Sequence, residues 1–333
     1  MSETLPSVTV LIAARPGQAE IQAVAGARQL DYPKDRLEII VARGEQPSVQ
    51  RNTALKAARG DLIYFLDDDS VPERANLQRA LRHFTRPEVK MVGGPNLCPG
   101  GARLLEQAFA LVQGSRLAFA SSRSRYATVG DARETSEKEL ILCNLMARRD
   151  ALLDRGGFNE ALYPNEENAL MDELQESGGK LIYDPALVVY RPPRPTLKAF
   201  AKMAMTYGRG RAEQFRLHPT TGSALNFVPP LFLLYLVSLA AAPWVGWLPL
   251  LPLAVYGIAV TIQAAALQPP NSRANTGQAG RLRVGLRLRL ASIPLTLLTH
   301  VMYGAGFWRG LVTRLKPEEQ RPPTPVSLET IPL

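Results

Sequence analysis

The first 190 residues alternate short apolar runs with stretches of helical periodicity. Val8–Ala14 is apolar except for Thr9, the length of a buried strand, and Arg15-Pro16-Gly17 ends it. Gln18–Leu30 has the spacing of a helix, and Leu37–Val41 predicts a second strand. Ser48–Arg59 predicts a helix with Ser48 as its cap and Gly60 as its stop. Leu62–Leu66 predicts a third strand that runs directly into Asp67-Asp68-Asp69, and Val89–Gly93 a fourth. Strands alternating with helices predict an α/β sheet with parallel strands. Ligands of such sheets sit outside the carboxyl ends of the strands, which is where the three aspartates fall.

Beyond residue 190 the pattern changes. Leu197, Phe200, Ala201 and Ala204 follow i, i+3, i+4, i+7, an apolar stripe accompanied by Lys198, Lys202, Arg209, Arg211 and Arg216. That composition suits a helix lying in the headgroup plane of a membrane. From Leu217 to Ser272, 56 residues contain no Asp, Glu, Lys or Arg, and Leu290–Trp308 contains none either. A membrane span needs about 20 apolar residues. Asn226–Ala242 and Trp247–Leu267 fit, and Leu290–Trp308 is a third candidate; a buried core helix would rarely tolerate so long a charge-free stretch. Pro294 and Gly304-Ala305-Gly306 leave open whether that third segment crosses or is re-entrant or interfacial.

Charge follows the same division. Residues 1–190 hold 23 basic and 26 acidic residues, whereas residues 191–333 hold 16 basic and 4 acidic. The positive charge lies beside apolar segments, which argues for an anionic membrane surface and against nucleic acid. Arg273, Arg281, Arg283, Arg287 and Arg289 lie between the second and third segments, so the positive-inside rule places that loop and the N-terminal half in the cytoplasm. No signal peptide is read at the start: Glu3 stands where a basic region belongs, and the first apolar run is too short. Cys98 and Cys143 read as reduced thiols, and three histidines make a structural zinc site improbable.

Four segments result. Residues 1–190 are expected to form the cytoplasmic α/β domain and residues 191–217 a basic amphipathic interfacial segment. Residues 218–312 form a membrane region of two to three spans, followed by a loose Pro-rich tail over 313–333.

The chemistry centres on the aspartates. Side chains alternate along an extended segment, so Asp67 and Asp69 can face one side with Asp68 turned away. Two converging carboxylates suit a hard divalent ion, Mg2+ or Mn2+. Ser70-Val71-Pro72-Glu73 also has capping-box spacing, so the same acids could instead begin a helix.

Arg51-Asn52-x-Ala-Leu, Gly60-Asp61 and Phe65-Leu66-Asp67-Asp68-Asp69-x-x-Pro72 together resemble the central signature of family 2 glycosyltransferases. Gly156-Gly157-Phe158-Asn159-Glu160 and Glu166-Glu167-Asn168-Ala169-Leu170 resemble later blocks of that family, so the resemblance covers roughly residues 6–190. It implies a GT-A, Rossmann-like nucleotide-sugar-binding domain, after which the apolar pattern places an interfacial helix and C-terminal transmembrane helices. Asp67 and Asp69 would then hold the metal. Asp68, Arg51, Arg15 and Glu45, with Arg209 and Arg211, are candidate contacts to the nucleotide sugar. Arg209 or Arg211 could equally grip the diphosphate of the acceptor lipid or anchor the segment to anionic lipid. Glu167 takes the place of the catalytic base, where the family usually has Asp, with Glu166 as runner-up.

Tyr207-Gly208-Arg209-Gly210-Arg211 and His300-x-x-Tyr303-Gly304-x-Gly306-x-x-x-Gly310 resemble bacterial exopolysaccharide glycosyltransferases of the succinoglycan ExoA type. This implies single-sugar transfer at the bacterial inner membrane from a nucleotide sugar, usually a UDP-sugar, to a hydroxyl of a polyprenyl-diphosphate-linked saccharide. The turn Ala42-Arg43-Gly44-Glu45 lacks the family's aspartates, which opens the identity of the base. The absence of a Gln-x-x-Arg-Trp motif and the few apolar helices argue against a processive synthase. The alternatives are a polyprenyl-phosphate glycosyltransferase, whose anionic acceptor needs no base, and a membrane-anchored, non-catalytic scaffold.

Overall fold

A computed structural model describes residues 5–160, 162, 165–217, 219, 221–241, 244, 246–268, 284–314 and 325–333. Arg273, Arg281 and Arg283, on which much of the orientation argument rests, lie outside the described residues. The chain forms two compact units. One comprises Met1–Pro99, Ser124–Pro192 and Lys316–Leu333, the other Gly100–Arg123 and Pro193–Leu315.

The first unit is a mixed α/β domain. Its strands are β1 (Val8–Ala14), β2 (Leu37–Arg43), β3 (Leu62–Asp67), β4 (Val71–Pro72), β5 (Val89–Gly93), β6 (Asn96–Leu97), β7 (Arg133–Thr135), β8 (Asn144–Arg148), β9 (Lys180–Tyr183), β10 (Val189–Tyr190) and β11 (Ser327–Thr330). Its helices are α1 (Gln22–Arg28), α2 (Pro47–Ala57), α3 (Asn76–Phe84), α6 (Arg149–Leu153) and α7 (Glu166–Glu176). Eight strands form one sheet in the order β11-β2-β1-β3-β8-β5-β9-β7, and β4, β10 and β6 form a second, small sheet.

The parallel core is as the apolar runs predict. β1 pairs in parallel with β2 (Val8↔Leu37) and with β3 (Val8↔Leu62). These strands are buried along most of their length, which suits near-continuous apolar sequence. The all-parallel expectation fails at β8, which lies antiparallel between β3 and β5. No crossover helix feeds β8; it follows a loop, and its apolar pattern carries no information on direction. The second helix begins at Pro47 with Gln46 as N-cap, one residue before the expected Ser48, because proline at the first turn is already set in helical φ. The first is shorter than Gln18–Leu30, since Gln18 is engaged in the loop after β1.

The expected loose tail is corrected at its end. Ser327–Thr330 pairs antiparallel with β2, Ser327 opposite Arg43 and Thr330 opposite Ile40. Glu329 meets Arg43 at 3.2 Å, and Val326 packs on the core. This strand covers an edge that would otherwise present unpaired backbone groups.

The second unit contains α4 (Leu104–Gln113), α5 (Arg116–Phe119), α8 (Leu197–Leu217), α9 (Val228–Ser238), α10 (Leu251–Ala266) and α11 (Leu286–Val312). Residues 100–123, expected within the catalytic domain, cluster here instead. Among the described residues three stretches are long and apolar enough to cross a membrane: Ala224–Ala241, Leu248–Ala266 and Leu286–Val312. Pro294 and Gly304-Ala305-Gly306 do not break the third, which is one continuous helix of 27 residues.

The stripe expected to lie among headgroups has other partners. Phe200 stacks on Phe109, ring centroids 4.3 Å apart, and joins Ala108, Val112, Met203 and Leu295 in an apolar cluster. The glycines of the two C-terminal motifs mark the crossing of α8 and α11. A Cβ at Gly208 would lie 2.0 Å from the Tyr303 carbonyl oxygen, and one at Gly306 2.0 Å from that of Met205. These motifs are therefore a close backbone-to-backbone contact.

Candidate active site

The site is built at the carboxyl end of β3. Asp67 is the last residue of that strand, in register with Ala13 of β1. The chain then turns, the Ser70 N–H donating to the Asp67 carbonyl at 3.0 Å. Asp67 and Asp69 converge, as expected, but through this turn rather than through alternation along a strand. Arg191 bridges them: Nη1 lies 2.8 Å from Asp67 Oδ2 and Nε 2.5 Å from Asp69 Oδ1. Burial pushes the Asp69 carboxyl above its ordinary range, opposed by Arg191 and reinforced by the neighbouring aspartates. Asp68 points elsewhere and accepts a 2.7 Å hydrogen bond from Gln18 Nε2, tying the turn to the loop after β1.

The capping alternative is excluded by the backbone. Val71–Pro72 is a strand, and the next helix starts only at Asn76. β10 pairs antiparallel with β4, Tyr190 opposite Val71, so the next residue, Arg191, arrives beside the acidic turn.

A second acid lies behind the first. Glu166 opens α7, is 3% exposed, and accepts a 2.9 Å hydrogen bond from Arg51 Nη1. Arg51, on α2, also reaches Asp67 Oδ1 at 3.4 Å. Burial pushes the Glu166 carboxyl up to about 7, aided by Glu167 and opposed by Arg51. Glu167 is the next residue of α7 and is only half-buried. Asn165 precedes the helix at φ 98°, the left-handed conformation asparagine tolerates.

Asn52 joins two motifs that stand 106 residues apart. Its Nδ2 donates to the Phe158 carbonyl and to Glu160 Oε1, each at 2.8 Å, and its Oδ1 accepts from the Phe158 N–H at 2.8 Å. Gly157 has φ +85°, and a Cβ there would lie 2.4 Å from Asn52 Oδ1. Glycine is required on both counts.

The other sequence candidates are less engaged. Arg15 and Glu45 are exposed beyond the ends of β1 and β2. Gln50 holds those ends together, donating to the Ala14 and Ala42 carbonyls at 2.8 and 2.6 Å. Arg209 and Arg211 lie on α8 in the second unit, Arg209 paired with Glu213 at 3.4 Å and Arg211 donating to Gln214 at 3.1 Å. Sequence reasoning missed Arg191 and Gln18. A basic residue directly after the last short strand was the available signal for Arg191.

The donor set fits a hard cation. Among the described residues no group of three or more His, Cys, Asp or Glu could hold a metal ion by itself. Asp67 and Asp69 nonetheless come close enough for one guanidinium to bridge both, a stand-in for a cation shared by two carboxylates. Remaining ligands would have to come from diphosphate oxygens and water, the usual habit of Mg2+.

A family model described as "Glycosyltransferase like family 2" matches residues 2–205. A pre-mycofactocin glycosyltransferase of Mycobacterium tuberculosis is 27% identical over 184 residues, which are 52% of this chain and 36% of that protein. The succinoglycan biosynthesis protein ExoA of Rhizobium meliloti is 26% identical over 215 residues, 64% of this chain and 58% of that protein. The matches thus span between about a third and three-fifths of these relatives. Among solved structures, a mannosyltransferase of Pyrobaculum calidifontis, determined with GDP-Man and Mn2+, superimposes with a TM-score of 0.57 at 18% identity. That likeness covers 93% of this chain and 88% of the mannosyltransferase, and it establishes the fold.

Proposed function

We propose a reaction from one premise: the chain belongs to glycosyltransferase family 2. It moves a single sugar, with inversion, from a nucleotide sugar, a UDP-sugar by the family's habit, to a hydroxyl of a polyprenyl-diphosphate-linked saccharide. The observation that carries this reading is the convergence of Asp67 and Asp69 on one guanidinium at the carboxyl end of β3. The likeness to ExoA supports an acceptor in exopolysaccharide or cell-surface glycan synthesis. The three apolar helices support a multi-pass protein of the bacterial inner membrane with its catalytic domain in the cytoplasm.

Each residue then has a task. Asp67 and Asp69 would hold Mg2+ or Mn2+, which when bound neutralises the leaving diphosphate as a Lewis acid. Arg51 fixes Asp67 from behind and holds Glu166 in the interior. Glu166, buried and pinned, is poorly placed to meet a bulky acceptor, whereas Glu167 has solvent access on the same first turn of α7. Glu167 is therefore the general base that accepts the acceptor's hydroxyl proton, a role worth about 10²–10⁴-fold. Asp68 sets the turn through Gln18.

The test supplies membranes containing the protein with sugar nucleotides, UDP- and GDP-linked, and polyprenyl-linked acceptors, with and without Mn2+. Transfer should be metal-dependent and lost in Asp67→Asn and Asp69→Asn; undiminished turnover in either variant overturns the reading. Loss in Glu167→Gln supports hydroxyl transfer, and full activity there favours a polyprenyl-phosphate acceptor. Metal-dependent sugar-nucleotide hydrolysis excludes a scaffold.

A further inference from the structure

Arg191 has an unusual address. β10 brings it to the acidic turn through the register Tyr190↔Val71, and its N–H donates to the Leu97 carbonyl at 3.0 Å, so its backbone is fixed from the other side by β6. From that anchored position the guanidinium touches one oxygen of each carboxylate proposed to hold the cation. Its side chain is 19% exposed, so these contacts are only partly screened.

A planar guanidinium and a divalent ion compete at these carboxylates. Each neutralises the same pair of negative charges, and Arg191 occupies one oxygen of each. Guanidinium also matches diphosphate oxygens in bidentate geometry. A diphosphate arriving at the turn therefore offers Arg191 a second anion, and at the same time offers the cation further ligands.

We propose that Arg191 is a built-in competitor of the divalent cation at Asp67 and Asp69, and that the donor's diphosphate relieves the competition by drawing the guanidinium to itself. The inference rests on the reading of Asp67 and Asp69 as cation ligands. By linkage, cation and nucleotide each raise the other's affinity by the same factor. The protein alone then binds the cation weakly, and the site becomes complete when a nucleotide diphosphate is in place. Arg191 acts here as a positioning and binding residue, with no bond made or broken at it.

The experiment is a Mn2+ titration followed by electron paramagnetic resonance, on the detergent-solubilised full chain, alone and with saturating UDP or, separately, GDP. Wild-type protein should bind Mn2+ about tenfold more tightly with nucleotide than without, within the usual range of coupling between sites. Arg191→Gln, close in length but neutral, should bind Mn2+ alone about tenfold more tightly than wild type, with the nucleotide effect much reduced. Arg191→Lys, which keeps the charge, should stay close to wild type, and a matching circular dichroism spectrum shows that each variant folds. If Arg191→Gln and a second neutral variant, Arg191→Met, bind Mn2+ no more tightly than wild type, the competition is overturned while the cation site stands. If no protein binds Mn2+ with either nucleotide, the cation site itself is wrong and the inference falls with it.

Discussion

Arg51 Nη1 and Glu166 Oε1 lie 2.9 Å apart across 115 positions of sequence, and the same guanidinium reaches Asp67 at 3.4 Å. Glu166 is nearly without solvent, so its charge depends on this partner. Removing one member of a buried pair leaves the other uncompensated and costs about 3–5 kcal/mol. Arg51→Met should lower stability by that order in a denaturant titration read by limited proteolysis, with Arg51→Lys intermediate. Transfer activity should fall in both, because Asp67 loses its support.

The burial of Glu166 sets a pH dependence, which Arg51 opposes. Glu166 titrates near 7 in the folded protein against an ordinary 4.5, so between these values the folded state holds a proton that the unfolded state has lost. The stabilisation from that proton is complete below pH 4.5 and is lost as pH rises through about 7. Unfolding free energy should therefore decline over this window. Glu166→Gln should flatten the decline, which a denaturation series from pH 4.5 to 8 would measure.

The α8–α11 crossing gives a prediction with its own control. Gly306→Ala would place a methyl 2.0 Å from the Met205 carbonyl oxygen, and the backbone at that contact has no side chain to move aside. Overpacking of this kind costs roughly 1–3 kcal/mol or more. Gly257→Ala on α10 meets nothing within 4 Å and should be neutral or stabilising by up to about 1 kcal/mol, since alanine favours helix. Thermal unfolding in detergent should separate the two variants clearly.

Strand β11 should protect its neighbour. Deleting residues 325–333 exposes the outer edge of β2, and those amides of Ile40–Arg43 that face β11 should then exchange with deuterium at least tenfold faster. The truncated protein should also aggregate more readily, as exposed sheet edges do. Exchange unchanged over Ile40–Arg43 would mean that the pairing adds nothing to the sheet.

Much of the site was legible because strong local patterns carry it. An apolar run ending in three aspartates fixed both β3 and the position of Asp67 and Asp69. What escaped depends on tertiary register. Arg191 reaches the aspartates because β10 pairs with β4, two strands of two residues each, too short to have any periodicity. Strand β11 is likewise four residues long, all exposed, and its partner lies almost 290 positions earlier. The glycines of the C-terminal motifs were seen, but sequence could not tell a ligand loop from two helices in contact. Asn52 belonged to a recognised motif, yet its purpose emerged only with the Gly157 turn seated on it.

The pairing of β11 with β2 imposes a parity on the polypeptide. Residues before Pro192 and residues 327–330 share one sheet, so both belong to the same aqueous compartment. If the chain between them enters a bilayer it has to come back, which allows only an even count of complete passages. Among the described residues three candidates stand between, so they cannot all be complete passages. Of these, Leu286–Val312 has 39% of its apolar window sheltered by protein, against 6% and 11% for the other two. A full crossing by one of the candidates would thus require a second to return it, and a third would have to remain on one side of the lipid.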